Sequence, residues 1–360
     1  MNNFFHDSSL KRLKFLKILY YLEEIKGKFI FHKTFFGYEY LKLNIGYKFE
    51  RHHYGPYSYD IEDDLLFLQN EGFIFINDTP NQNRIFVNKG RIKKYLNQVG
   101  FDLRLNQKEG KIISQIEDLY INELKDNKRI ELATSLLQII NEKKFVLQDE
   151  IFKELKVWKG NKFLDKDIIE IWNLLQLKKL IPDLIIEINQ LTKIETGNKE
   201  CFNYQRLISK ILLNIFKASF RNMESERIAH EGYKKIDTVY TNIATDGFFK
   251  NLPEKNRNIV CNYIIVEAKN YSFDLGNREF DQLFSRLNKK VGNFGILVCR
   301  KIKSMKDARK RTQSYLDDNK YILFLTDKDI IELGRLSLQN LNYKIDDFID
   351  NKFKSLVFRS

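Results

Sequence analysis

Hydrophobic residues in the first hundred positions follow two different spacings. Before Gly27, and again over Tyr59–Asn70, apolar residues recur about every 3.6 positions, which predicts amphipathic helices. Ser58 is the predicted N-cap of the second of these helices. Two apolar segments follow, at residues 73–76 and 84–87, and the residues between them are mostly polar. This arrangement predicts a β-hairpin.

Helices that end in a β-hairpin form the winged type of helix-turn-helix, so residues 1–100 are predicted to be a winged-helix domain. The segment HHYGPYSYDIEDDLLFLQNEGFI, at positions 52–74, resembles the Y-G-P-x-S segment of small prokaryotic winged-helix proteins, some of them linked to toxin–antitoxin control. The resemblance extends over about residues 10–185. Helix Tyr59–Asn70 carries four acids, which repel phosphate, so we favour a protein partner over base recognition there.

Helical periodicity continues to about residue 180 and then gives way to a mixed pattern. Residues 101–190 are predicted to form a helical extension, with a second winged-helix-like unit as the alternative. The polar stretch Gln190–Lys199 is the predicted linker. The elements predicted beyond it are a helix at Asn203–Phe220, strands around Arg227 and Asp237, a strand leading to Glu267, a helix at Asn277–Lys289 and a strand at Phe294–Arg300.

The strand before Glu267 introduces the residues that could carry chemistry. Glu267 and Lys269 share one face of this strand, because residues i and i+2 point the same way. If the strand that carries Asp237 pairs alongside, two carboxylates and an ammonium group gather at one end of a sheet, which is costly unless something binds there. A bound Mg²⁺ would offset this cost, because Mg²⁺ in proteins is held by one or two carboxylates together with waters and substrate phosphates. It can lower the pKa of a bound water, and Lys269 could then orient or deprotonate that water.

With these residues the sequence resembles the PD-(D/E)xK restriction-endonuclease-like superfamily over about residues 200–335. The segments that fall in the order and spacing of one such family are EGYKKIDTVYTN, IIVEAKNYS, LGNREFDQL and GNFGILVCR. The resemblance implies a nuclease core with a mixed sheet flanked by helices at residues 200–340. It implies that the metal ligands are Asp237, Glu267 and the Ala268 carbonyl, and that the catalytic residues are Asp237, Glu267, Lys269 and Gln282.

Two observations weigh against a complete site. Many members of the superfamily carry a Glu on the opening helix, where Gln205 stands here, so a second metal ion is left open. An E-x-K triplet is also common by chance. Without a site, Glu267 and Lys269 would form an exposed salt bridge of little energetic consequence, and Asp237 would be an ordinary acid of a turn or strand end.

Charge is distributed unevenly along the 360 residues, whose formal net charge is +13. Residues 201–360 hold 29 Lys and Arg against 19 Asp and Glu, an excess of +10. A basic surface of this kind is typical of nucleic-acid binding, although a solvated helix face is the simpler alternative for any single run. The predicted nucleic-acid contacts are Lys234, Lys235, Asn270, Arg286, Lys289, Lys290, Arg300 and Lys301.

Several classes of protein are disfavoured by the sequence. No apolar run approaches the roughly 18 residues of a membrane helix, and the first ten residues lack the features of a secretion signal, so we expect a cytoplasmic protein with no membrane partner. The three cysteines lie far apart and predict neither disulfides nor a zinc site. The five histidines lack the i, i+4 spacing of helical zinc ligands.

These features together predict a multidomain α+β protein with a tail at residues 341–360. The predicted function is endonucleolytic hydrolysis of double-stranded DNA, dependent on Mg²⁺ or alternatively Mn²⁺, in restriction or anti-phage defence. A homodimer is expected if both strands are cut together. The alternatives are a non-catalytic winged-helix regulator that binds DNA or protein and has a degenerate nuclease fold, and a ribonuclease.

Overall fold

The computed structural model describes residues 2–22, 24–79, 82–229, 234–271, 277–302 and 304–357. Two compact units are present, one formed by Met1–Lys143 and Ile151–Leu180 and the other by Lys144–Glu150 and Ile181–Ser360. We call them the N-terminal and the C-terminal unit. No helix within the described ranges is both long enough and apolar enough to cross a membrane.

The N-terminal unit begins with short strands placed between helices. Its first elements are α1 (Asn2–Tyr21), β1 (Glu24–Ile25), α2 (Gly27–Tyr40), β2 (Glu50–His52), β3 (Gly55–Tyr57), α3 (Tyr59–Asn70), β4 (Ile74–Thr79), β5 (Gln82–Val87) and α4 (Lys89–Gln98). The predicted hairpin is confirmed, because β4 and β5 pair antiparallel with Ile76 opposite Ile85. Strand β1 adds to the other edge of β5, which gives a three-stranded sheet in the order β1-β5-β4.

Aromatic side chains hold the first helices of this unit together. Phe15 of α1 contacts Phe31 and Phe35 of α2 and also Tyr47, with ring centroids 4.7 to 5.8 Å apart. Burial of such rings is a large apolar contribution to folding. Ser58 occupies the N-cap position of α3 as predicted, but its side chain makes no capping hydrogen bond, and its backbone N–H donates to His32 Nδ1 at 3.3 Å.

The region after α4 consists of helices. Its elements are α5 (Gln107–Asp118), a π-helical turn (Leu119–Leu124), α6 (Asn127–Lys143), α7 (Gln148–Lys159) and α8 (Asp165–Leu177). Helix α5 begins with a capping box between Asn106 and Glu109. Helix α6 is buried from Ile130 to Ile140, so little of its surface is left to water.

The C-terminal unit is a mixed sheet with helices between and after its strands. Its elements are α9 (Asp183–Lys193), α10 (Cys201–Ile215), β6 (Phe220–Ala229), β7 (Lys234–Asn242), α11 (Gly247–Lys255), β8 (Tyr263–Lys269), α12 (Asn277–Phe284), β9 (Phe294–Cys299), α13 (Met305–Leu316), β10 (Tyr321–Thr326), α14 (Asp327–Leu338) and α15 (Asn342–Val357). The strand order is β10-β9-β8-β7-β6. Strands β8, β9 and β10 are parallel, whereas β6 and β7 are antiparallel to their neighbours.

This architecture confirms the prediction of a mixed sheet flanked by helices. Strand β8 lies at the centre because its apolar residues Ile264, Ile265 and Val266 suit a strand that is buried on both faces. Helices α10 and α12 both pack against β8. The end of the chain differs from the prediction: residues 341–360 include helix α15, whose buried Ile345, Ile349 and Leu356 belong to the core of this unit instead of a tail.

Candidate active site at the end of strand β8

Strand β8 carries Glu267 and Lys269 at its carboxyl end, beside a strand on each edge. Its parallel neighbour β9 pairs Glu267 with Leu297 and Lys269 with Cys299. Its antiparallel neighbour β7 pairs Thr238 with Val266, which places the backbone of Asp237 one position beyond the last pair and level with Glu267. The predicted pairing of the two strands is therefore present. The side chain of Asp237 lies outside the described residues.

Close packing of α12 on the sheet brings a third predicted residue to this point. Gly295 of β9 lies under the helix, where a Cβ atom would be 3.1 Å from Leu283 and 3.2 Å from Leu287. Because the glycine leaves room for these two leucines, α12 can lie close to β8 and β9. Gln282 then accepts a hydrogen bond at its Oε1 from the Lys269 ammonium, at 2.9 Å.

Glu267 is wholly buried and lies between two cations. Its Oε1 is 2.5 Å from Lys269 Nζ, and its Oε2 contacts the Arg286 guanidinium. Neither contact has hydrogen-bond geometry, and neither carboxylate oxygen has another hydrogen-bond partner among the described residues. Among the described side chains, this cluster has two positive groups and one negative group, a formal charge of +1 before the Asp237 carboxylate is counted.

The donor atoms here fit one side of a magnesium site. The Glu267 carboxylate and the Ala268 carbonyl are oxygen ligands of the kind that Mg²⁺ prefers. In the described part of the chain, no three side chains of His, Cys, Asp or Glu converge as metal ligands would. Asp237, the further predicted ligand, would have to complete the site from β7.

The contact between Arg286 and Glu267 was not predicted from the sequence. We expected it to bind phosphate from an extension of the helix that carries Gln282, but that helix ends at Phe284. Arg286 lies in the turn that follows, and its side chain points inward to Glu267. The i, i+4 spacing of Gln282 and Arg286 was the available signal, since residues so spaced lie on one face of a helical turn.

Asn270 and Arg300, also predicted to contact nucleic acid, instead join β8 and β9 to the loop after α9. Asn270 is buried, and its side-chain amide donates to the carbonyls of Glu195 and Gly197 at 2.9 Å each. Arg300 Nε donates to Asn270 Oδ1 at 2.7 Å, and its Nη1 donates to the Leu191 carbonyl. Because these polar groups are used within the protein, neither side chain is available to a phosphate in this structure.

Asp327 and Tyr204 complete the environment of Arg300. Arg300 Nη1 lies 2.9 Å from Asp327 Oδ2, and its guanidinium stacks over the Tyr204 ring at 4.7 Å. The Tyr204 hydroxyl donates to Asp327 at 2.8 Å. Burial raises the pKa of the Asp327 carboxyl, while the hydrogen bonds from Arg300 and Tyr204 act in the opposite direction. This is a structural ion pair beside the candidate site.

The remaining predicted contacts are surface lysines. Lys289 and Lys290 are exposed in the turn that joins α12 to β9, where Asn288 bridges to Gly292. Lys301 is exposed directly after β9. The backbones of Lys234 and Lys235 belong to β7, and their side chains lie outside the described residues. Phosphate contacts by these lysines remain a prediction.

Comparisons with known proteins give only a distant likeness. No family model matches the sequence, and no curated protein matches it. Among solved structures, the restriction endonuclease FokI is similar with a TM-score of 0.32 and 10% sequence identity, over 96% of this chain and 73% of that one. FokI bound to DNA gives a TM-score of 0.27 and 11% identity, over 78% of this chain and 59% of the other. Both TM-scores are below 0.5, which is too low to assign an activity.

Proposed function

We propose that the C-terminal unit is a metal-dependent endonuclease that hydrolyses phosphodiester bonds in DNA. The observation that carries the proposal is the meeting of Glu267, Lys269 and Gln282 at the end of a central strand. Further support comes from the register of β7, which brings the backbone of Asp237 level with Glu267. In a solvated salt bridge of no function, Glu267 would be exposed, whereas here it is fully buried.

The roles of the residues follow from their chemistry. Glu267, the Ala268 carbonyl and Asp237 would hold Mg²⁺, or Mn²⁺ in its place. The metal, when bound, would lower the pKa of water and neutralise charge on the phosphate. Lys269 would orient the attacking water or stabilise the negative charge that develops on the phosphate. Gln282 would hold the Lys269 ammonium in place through the hydrogen bond that it accepts.

Double-stranded DNA is the proposed partner of this unit. The exposed Lys289, Lys290 and Lys301 would supply sequence-independent contacts to phosphates, together with Lys234 and Lys235 of β7. A homodimer would allow both strands to be cut at one place. Restriction or defence against phage is the biological role that we propose for such an enzyme.

We also propose that the first hundred residues form a winged helix-turn-helix that binds a protein. Its elements run in the order α1, β1, α2, the short β2–β3 pair, α3 and the β4–β5 hairpin, with β1 in the same sheet as the hairpin. This assignment does not depend on catalysis in the C-terminal unit.

A non-catalytic regulator is the second candidate. It is favoured by the two cations beside Glu267, which neutralise the carboxylate that a metal would need. In that case the C-terminal unit would hold nucleic acid without cutting it.

Cleavage of a supercoiled plasmid by the full chain tests the proposal. We expect cleavage with Mg²⁺ and none with excess chelator, and a loss of at least about 10²-fold in Glu267→Ala and in Lys269→Ala, as for other groups that act on the transition state. Glu254→Ala and Lys255→Ala change exposed residues of the same types in the same unit and should keep full activity.

Three results would contradict this assignment. DNA binding without any cleavage by the unchanged protein, with Mg²⁺ or Mn²⁺, would support the regulator. Faster cleavage of single-stranded RNA than of duplex DNA would make the substrate assignment wrong. Cleavage that survives both alanine substitutions would exclude this site as the catalytic one.

A further inference from the structure

A groove in the N-terminal unit is lined by apolar and charged residues of α1, α3 and α4 and by residues next to α3 and α4. Its volume is about 810 Å³. This is within the range of roughly 300–1,000 Å³ that is typical of ligand clefts. Three of its apolar side chains remain exposed to water: Phe67 by 37%, Tyr95 by 39% and Val99 by 48%. Leu16 and Phe73 are buried and also line the groove.

The sequence of α4 explains why this surface is left uncovered within the unit. Ile92 and Leu96 of this helix are buried, so they attach it to the core. Tyr95 and Val99 are spaced four positions apart, which places them on a second stripe directed toward the groove. A helix with one apolar stripe packed and another exposed has more apolar surface than its own fold requires, and such surface marks interaction sites.

Positive charge surrounds the groove. Arg12, Arg91 and Lys94 line it, against one acid, Glu71. The Arg12 guanidinium stacks on Phe67 at 4.2 Å, and Arg91 lies 4.0 Å from Glu71. Lys94 is exposed and has no carboxylate within 4 Å in the described part of the chain.

We propose that this groove binds an acidic amphipathic helix of a partner protein. Apolar side chains spaced i, i+4 and i+7 on such a helix would enter between Phe67, Tyr95 and Val99, and its acids would meet Lys94, the exposed lining cation that the described residues leave without a carboxylate. The inference does not rest on nuclease activity, since no residue of the C-terminal unit takes part in it.

A peptide fits this groove better than a nucleic acid does. Exposed rings such as Phe67 and Tyr95 could stack on bases, but a nucleic acid would also need a continuous track of cations along its phosphates. Here leucine side chains contribute to the lining, and Arg12 is already 2.7 Å from the Asp64 carboxylate. The hairpin of the same unit supports a protein partner independently, because Phe75 and Phe86 are directly paired across its strands and both are exposed.

Selection of helical peptides from a displayed random library, with the full chain as target, tests the proposal. We expect enriched peptides to be acidic and to carry apolar residues at i, i+4 and i+7. Binding of an enriched peptide, measured by fluorescence anisotropy, should weaken about tenfold or more for Val99→Glu and for Lys94→Glu, as at other binding hot spots.

Lys93→Glu is the matched control. Lys93 is the exposed neighbour of Lys94 on the same helix but does not line the groove, so binding should stay within about twofold of the unchanged protein. Circular dichroism of each variant checks that α4 still folds. No enrichment, or enrichment of peptides without acids, would overturn the proposal. Binding of a single-stranded oligonucleotide that is lost in Val99→Glu and Lys94→Glu would assign the groove to nucleic acid instead.

Discussion

The Glu267 carboxylate is a candidate metal ligand, and in the structure it forms ion pairs within the protein. A buried carboxylate must be neutralised, because leaving a charge unpaired in the interior is strongly unfavourable. Arg286 and Lys269 provide that neutralisation in the structure. A divalent cation could do the same from the position that the guanidinium takes. Metal binding and the Arg286 contact should therefore compete for one carboxylate.

Replacement of Arg286 by glutamine tests this competition. Without metal, Arg286→Gln should lower the free energy of unfolding by up to about 3–5 kcal/mol, the usual effect of breaking a buried pair. With Mg²⁺, the variant should regain more stability than the unchanged protein gains, because ligand binding stabilises the folded state and the variant has no guanidinium to displace. Thermal unfolding with and without Mg²⁺ measures both effects.

Arg257→Gln is the control for this experiment, since Arg257 is an exposed arginine of the same unit and its loss should leave both measurements unchanged. An equal Mg²⁺ effect in the Arg286 variant and the unchanged protein would mean that the metal does not compete with Arg286.

The Y-G-P-x-S segment is bound by a buried lysine, Lys33. This lysine is buried in α2, and its ammonium donates to the Pro56 carbonyl at 2.6 Å. Gly55 has a φ of +95°, and a Cβ there would lie 3.2 Å from Ser135 Oγ and 3.3 Å from Lys33 Nζ. The backbone conformation therefore favours glycine, and a Cβ atom would in addition crowd the Ser135 and Lys33 side chains. Desolvation, and next the nearby charge of Lys159, lower the pKa of Lys33 to about 7.

This lowered pKa predicts that stability rises with pH above neutrality. Between pH 7 and pH 9 the Lys33 amine loses its proton in the folded state but keeps it in the unfolded state, whose pKa is the ordinary 10.5. The unfolded state then binds more protons, so the free energy of unfolding increases with pH, on the order of 1 kcal/mol per pH unit. Urea unfolding at pH 7, 8 and 9 should show this slope, and Lys33→Met should remove most of it.

Lys128→Met serves as the reference, because Lys128 is an exposed lysine of the same unit and should leave the slope as it is. A slope that is identical in the Lys33 variant and the unchanged protein would show that Lys33 stays charged in the folded state.

At the scale of elements, the end of β8 is fixed by the loop after α9. Besides the two bonds donated by the Asn270 side chain, the Asn270 carbonyl accepts a hydrogen bond from the Gly197 N–H at 2.8 Å. Arg300 binds the same loop at the Ile194 carbonyl. Since Asn270 directly follows Lys269, the loop and the candidate catalytic lysine are held by the same contacts. We infer that Asn270 is a positioning residue for the end of this strand.

Removal of the Asn270 side chain should release the loop. Asn270→Ala leaves two loop carbonyls and Arg300 Nε without their partner, and each buried group so affected costs about 1–3 kcal/mol. Trypsin should then cleave after Lys193 or Lys199 several times faster than in the unchanged protein, as followed by mass spectrometry. Asn198→Ala, an exposed asparagine of the same loop, should not change the rate. Equal cleavage rates in the unchanged protein and in both variants would show that Asn270 does not hold the loop in place.

Elements whose pattern matches their burial could be predicted from sequence. Helix α8 (Asp165–Leu177) lies in the stretch predicted to be helical, because its buried Ile168, Ile171 and Trp172 follow the helical period. Elements that depend on tertiary contacts could not be predicted. The glycine, proline and asparagines of residues 247–258 are typical of a loop, but residues 247–255 form helix α11, whose N-terminus is held by Asp346 of α15 through a hydrogen bond from the Phe248 N–H at 2.8 Å.

The candidate site likewise has features that the sequence predicts and others that depend on tertiary contacts. The strand that leads into Glu267 and Lys269 was evident from its apolar run, and the place of Gln282 came from the resemblance. The prediction of a linker at Gln190–Lys199 was wrong. The first residues of this stretch belong to α9, and the carbonyls of Ile194 and Gly197 accept hydrogen bonds from Arg300 and Asn270. The polar residues of this stretch suggested a solvent-exposed segment. The sequence does not show that distant side chains bind its backbone carbonyls.

At the scale of the molecule, the positive charge is concentrated in the part of the chain that carries the candidate site. Residues 201–360 account for +10 of the net charge of +13. Of this charge, Arg286 and Arg300 are turned inward to Glu267 and Asp327. Among the described side chains near β8, the exposed cations include Lys289, Lys290 and Lys301, and lysines act as point charges without fixed geometry. Such a surface should bind nucleic acid without strong sequence preference.

Salt dependence measures how many of these lysines touch DNA. The logarithm of the binding constant falls with the logarithm of the salt concentration by about 0.9 for each phosphate contact, because each contact releases condensed cations. Lys289→Gln with Lys290→Gln should therefore reduce this slope by about two, and equally for DNA of different sequences. Lys210→Gln with Lys217→Gln, two exposed lysines at α10, provide the matched control and should leave the slope unchanged. If both double variants reduce the slope equally, DNA contacts the C-terminal unit without regard to the candidate site. If only the first does, the turn between α12 and β9 is part of the DNA-binding surface, next to the strand that carries Glu267 and Lys269.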